Sequence, residues 1–142
     1  MTSQRFLTAT VVGGLALFAL GYLVWGLALM GFLEAQSVGP EGMMKAEEEM
    51  SLPLILVANL IYGALLTLTV GVWGGKRGFA AGFVGGLLVG LLATLSMTAM
   101  FLGTMNFMTV TGHRVDTVAS GLWAGIGGGV IGVMLARGEG GG

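Results

Sequence analysis

Four long segments of this chain, residues 6–33, 52–72, 79–105 and 117–136, contain no Asp, Glu, Lys, Arg or His. Each reaches or exceeds the roughly 20 apolar residues needed to cross a bilayer as a helix. In hydrocarbon a backbone must satisfy its own N–H and C=O groups, so such segments fold as helices or as strands of a closed barrel. Their unbroken apolarity, without period-two alternation, selects helices. The expected fold is therefore all-α, an integral membrane bundle of four transmembrane helices forming a single domain over residues 1–137. Composition agrees, since 55% of residues are hydrophobic and 9% charged, against about 25% charged in a soluble domain. The six basic and seven acidic residues lie almost entirely between the apolar runs or at the ends. A net charge of −1 gives no electrostatic footprint for nucleic acid. The absence of cysteine excludes structural disulfides, thiolate metal sites and dithiol redox chemistry.

The first segment, at 1.5 Å per residue, is about 40 Å long and exceeds the hydrocarbon thickness, so it must tilt or project. Arg5 ahead of an apolar run invites a signal-peptide reading, but the run is about twice an ordinary h-region and no A-x-A site closes it; a retained first span is expected. Residues 37–50 form the one long connection and include Pro40 and the acidic run Glu47-Glu48-Glu49. Pro53 suits the first turn of the second helix, where its missing N–H leaves nothing unpaired. Gly74-Gly75-Lys76-Arg77-Gly78 makes a short link that forces the second and third spans to be antiparallel neighbours. Residues 106–116 read as a polar connection and 138–142 as a disordered tail. With Arg5, Lys76, Arg77 and Arg137 on one side and Lys45 and Arg114 on the other, the positive-inside rule places both termini in the cytoplasm.

Small residues recur every four positions in the third span, at Gly78, Gly82, Gly86 and Gly90, and in the fourth at Gly121, Gly125 and, in a second ladder, Gly128 and Gly132. Helix association in lipid rests on close backbone approach, which flat glycine faces permit. The third and fourth spans are expected to pack on each other. Because Gly125, Gly127, Gly128, Gly129 and Gly132 put small residues on several sides, one face of the fourth span is expected to be left over for another protein chain, a second copy or a subunit of a larger membrane complex.

Intramembrane polar groups are the usual pointers to function. Asn59 is expected to hydrogen-bond a neighbouring helix, and Glu34 to reach the wet interface beyond the first span. Of the ten methionines, Met100, Met105 and Met108 cluster with His113 near the expected outer face. Thioether sulfur is a soft ligand suited to Cu(I), although methionine is more commonly a packing residue. No cofactor is indicated, and no set of reactive residues converges as catalysis requires.

The segments Gly21-Tyr22-Leu23-Val24-Trp25-Gly26, Met44-Lys45-Ala46-Glu47, Asn59-Leu60-Ile61-Tyr62-Gly63-Ala64 and Gly103-Thr104-Met105-Asn106, followed by Val115-Asp116, together resemble a family of small four-span bacterial membrane proteins of uncharacterised activity. The resemblance implies a four-helix fold in a bacterial plasma membrane, and no activity. Where that family tends to carry an acidic residue in its third span, this chain has Thr98. The expected function is that of a non-enzymatic membrane component, a homo-oligomer or an accessory subunit. The alternative is a small transporter or channel lined by Asn59, Thr67, Thr94, Ser96 and Thr98.

Overall fold

The structure, a computed structural model, describes residues 1–140, with the side chains of Glu47 and Glu139 left aside. Its helices, in chain order, are α1 (Ser3–Gly21), α2 (Met30–Gln36), α3 (Leu52–Leu66), α4 (Phe79–Thr104) and α5 (Val110–Gly140). Two of them continue into wider π-helical turns, α1 through Tyr22–Ala28 and α3 through Thr67–Trp73. Four helices are long and apolar enough to cross a membrane: Ser3–Ala28, Leu52–Trp73, Phe79–Thr104 and Val110–Gly138.

Local chemistry sets the ends. Thr2 caps α1 by accepting from the N–H of Arg5 at 3.2 Å, and Ser51 caps α3 from the N–H of Leu54 at 3.3 Å, with a proline in the first turn. The widening of α3 follows two threonines: the hydroxyls of Thr67 and Thr69 donate to the carbonyls of Gly63 and Leu65, each at 2.8 Å. A hydroxyl that bonds the carbonyl one turn back competes with the helix's own ladder. The α3–α4 link turns on Gly75 and Gly78, at φ of 61° and 84°, which glycine adopts without steric penalty.

Two boundaries differ from those read in the sequence. The first apolar run is not one helix over 6–33; it breaks at Leu29 (φ −102°, ψ −3°), and its surplus length becomes α2. The last helix starts at Val110 and not at 117, because Thr109 supplies a cap by accepting from the N–H of Gly112 at 3.1 Å. Polar residues sit comfortably in a capped helix outside the apolar core, and hydropathy is blind to them. At the other end α5 stays helical through Gly140, so the expected tail of 138–142 is helical in its first three residues, and Gly141 and Gly142 lie outside the described residues.

The hub of the bundle is α5. It packs along α4 on one side and α1 on the other, and α1 in turn packs on α3. Half of its most apolar stretch is buried (50%), against 28% for the second span and 17% for the first and third. Leu17, Leu66, Thr67, Ile131 and Leu135 are fully enclosed, with Ala9 and Val70 completing the core. The α4–α5 seam is a contact of backbones. A Cβ at Gly82 would fall on the carbonyl of Gly128, one at Gly86 on the carbonyl of Ala124, and one at Gly132 on the carbonyl of Gly78. The N–H of Gly78 also donates to the carbonyl of Gly132 at 2.9 Å. A second close approach joins α1 to α3, where a Cβ on Gly63 would lie 2.7 Å from the carbonyl oxygen of Thr10.

Candidate functional site

Where α2, the turn at 105–109 and the start of α5 meet, the helices part around a cavity of about 360 Å³. Its walls come from distant parts of the chain: Trp25 from the turns that continue α1, Glu34 from α2, Thr98 and Phe101 from α4, and His113 and Asp116 from α5. The rim is stitched between α2 and the 105–109 turn. The N–H of Val38 donates to the carbonyl of Phe107 at 2.8 Å, and that of Thr109 to the carbonyl of Gln36 at 2.9 Å. The Thr109 hydroxyl adds a short bond to the Gln36 side-chain oxygen. The α2 that follows the break at Leu29 is thus held in place by the last loop of the chain.

Inside, Trp25 donates its indole N–H to Oδ1 of Asp116 at 2.8 Å, across 91 residues of sequence. Trp25 also meets Trp123 edge to face, with ring centroids 5.5 Å apart, and Trp123 packs on Tyr62 at 4.8 Å. The hydroxyls of Thr98 and Thr117 lie 3.3 Å apart and bridge α4 to α5. His113 is only 3% exposed. Its ring stands edge-on to Phe107 at 5.1 Å and roughly parallel to Phe101 at 6.5 Å, and among the described residues its Nε2 has no hydrogen-bond partner. A buried polar atom without a partner costs about 1–3 kcal/mol and is uncommon; the Thr10 hydroxyl on α1 is another.

The expected copper ligands divide. Met108 and His113 line the cavity, but Met100 and Met105 point outward, 61% and 49% exposed, on the far side of α4 and beyond its end. The sequence reading grouped them by position along the chain, and the helical phase separates them. In their place Met30, Met44, Met50 and Met97 contribute to the cavity wall. Among the described residues no group of three His, Asp or Glu side chains is arranged to hold a metal.

Asn59 does not bond a neighbouring helix. Its amide donates to the carbonyl of Ile55 at 2.8 Å, one turn back on α3, a local bond available to any helical asparagine. Of the residues expected to line a polar path, Thr67 bonds within its own helix, Ser96 is exposed on α4, and only Thr94 and Thr98 reach the cavity. Glu34 is exposed and forms part of the same wall.

The glycines of the fourth span are all met by this same chain. Gly128 and Gly132 face the backbone of α4, Gly121 faces Leu91 and Leu87, Gly125 faces Phe83, Gly127 faces Leu17, and Gly129 faces Phe79. In α4, Gly90 abuts Ala124 and Gly78, Gly82 and Gly86 form the seam. The surplus glycine face expected on the fourth span is therefore filled from within, chiefly by aromatic and leucine side chains of α4 and α1 that spacing alone does not reveal.

Two features escaped the sequence reading altogether: the Trp25–Asp116 bond and the threonine pair. The signal available was the position of Asp116 at the start of a long apolar run. A scan against protein-family models, a search of curated proteins and a search of solved structures each return no match for this chain.

Proposed function

We propose that this chain is a non-enzymatic, multi-pass membrane protein that binds a small ligand in the cavity at one end of its bundle. It works as a component of an assembly, with copies of itself or as an accessory subunit of a larger membrane complex. One contrast carries the reading. Along the spans, Asn59, Thr67, Thr69 and Thr104 use their side chains on carbonyls of their own helix, whereas the cavity wall gathers Glu34, Thr98, His113 and Asp116 from three different helices. Polar capacity at a concave, mostly apolar site is what a binding pocket needs. Catalysis would further require a nucleophile or an acid–base pair in mutual reach, and His113 is flanked by phenylalanines instead.

The distribution of basic residues supports an orientation with both termini in the cytoplasm of a bacterial cell and the cavity on the outer face. Single cysteines introduced at Ser37 and Thr111 should then react with an impermeant thiol reagent from outside, and one at Ser3 should not; the reverse pattern inverts the assignment.

The binding reading is tested by filling the cavity. Thr94→Trp should abolish uptake of small aromatic compounds by nanodisc-embedded protein and leave its melting temperature within a few degrees. Uptake that survives this substitution would overturn it. Reconstituted into liposomes, the protein should show no saturable flux; a flux lost on Thr98→Phe would replace this reading with that of a transporter.

A further inference from the structure

We infer that the cavity takes a small organic cation with an aromatic or otherwise apolar body, an inference that rests on the cavity being a ligand site. Size comes first. A volume of about 360 Å³ falls in the range of pockets for small organic molecules, about 300–1,000 Å³. A bare metal ion is held by ligands that close directly around it and leave no such space, so the thioethers of the wall act here as soft packing surface.

Charge comes second. Among the described residues the wall holds two carboxylates, Glu34 and Asp116, and no lysine or arginine. Asp116 is half-buried, and its one hydrogen bond, from Trp25, engages Oδ1. A carboxylate accepts through both oxygens, with about four lone-pair sites in all when ionised, so one bond from Trp25 leaves Asp116, on the cavity wall, with further accepting capacity. An anionic guest would meet two like charges, of which the half-buried Asp116 is the less screened. A cation would be attracted by both.

The third element is the aromatic surface. Trp25, Phe101 and Phe107 all contribute to the wall, and a cation over such a ring gains from its quadrupole, more so when desolvated. The bond to Asp116 fixes the Trp25 indole in orientation, so its surface is pre-set for a guest.

The experiment uses the full chain in nanodiscs of uncharged phosphatidylcholine, with equilibrium dialysis corrected for uptake by empty discs. Benzyltrimethylammonium is compared with neopentylbenzene, its neutral isostere. The cation should bind about tenfold more tightly, the equivalent of about 1.4 kcal/mol. Glu34→Gln and Asp116→Asn should each remove most of that preference and leave the isostere's affinity unchanged. Asp116→Asn retains an oxygen to accept from Trp25, so an unchanged melting temperature and Trp emission separate loss of charge from loss of structure. Equal affinity for the two compounds, or a preference that survives both substitutions, overturns the cation and leaves the cavity reading standing. No binding of either compound overturns both. Binding of Ag(I) alone, lost on His113→Phe or Met108→Leu, overturns the cation in favour of a soft metal.

Discussion

The two ends of this bundle are built on opposite principles. At the end shared by the termini and the α3–α4 link, cationic side chains cap helix carbonyls: Arg5 donates to the carbonyl of Leu135 at 2.8 Å, and Arg77 to that of Gly71 at 2.9 Å. Gly71 belongs to the last turn of its helix, where positive charge is favoured, and Leu135 lies in the C-terminal part of α5. Between them the glycine seam brings α4 and α5 into backbone contact. At the opposite end the helices separate, the packing becomes aromatic and thioether-rich, and a histidine nitrogen is left unpaired. The comparison teaches that close packing and open space are divided along the bundle axis, with one end fixing the helices so that the other can hold them apart.

The largest test of this division is at the seam. Gly86→Leu forces a side chain into the carbonyl of Ala124 and should destabilise the bundle by about 3 kcal/mol or more, seen as a lowered unfolding midpoint or aggregation in mild detergent. Gly103→Leu is the matched control, since nothing lies within 4 Å of its added Cβ; an equal effect of the two would remove the seam's special status. Next comes Arg77→Gln, which gives up a charge-assisted bond to a helix-end carbonyl and should lower stability by about 1 kcal/mol. At the open end the sign should reverse. His113→Phe replaces an unpaired buried nitrogen with a ring carbon among phenylalanines, and should raise the melting temperature by an amount equivalent to about 1 kcal/mol. A loss there would show that His113 has a partner in the folded protein and would weaken the contrast. The smallest effect is expected at mid-depth, where Asn59→Leu exchanges a local bond for apolar surface and should shift stability by less than about 0.5 kcal/mol.

The spans were legible because a bilayer-crossing helix needs only length and apolarity, and both are written locally. The α4–α5 seam was legible for a related reason, since glycines spaced by four lie on one face wherever the helix is placed. What the sequence concealed is set by contacts between distant residues. Phe83 covers Gly125, Phe79 covers Gly129 and Leu17 covers Gly127, so a face that reads as vacant is occupied. The Trp25–Asp116 bond likewise joins two residues that look like independent interface anchors. The start of α5 was missed because its cap, Thr109, lies in a polar stretch that hydropathy assigns to a loop. The methionines misled for the opposite reason: a shared depth in the membrane groups Met100 with Met108, and helical rotation parts them.

The hub position of α5 also bears on how the chain assembles. Helices made early enter the membrane first, and helix association follows insertion. The α1–α3 pair has its own close approach at Gly14 and Gly63 and is complete once the first half of the chain has been synthesised. The third span has no such independence, because its glycine face fits only α5. Its packing is therefore set by α5, which follows it in the chain. The stitch between Gln36 and Thr109 likewise ties α2 to the residue that caps α5, so the rim of the cavity depends on the placement of that same helix.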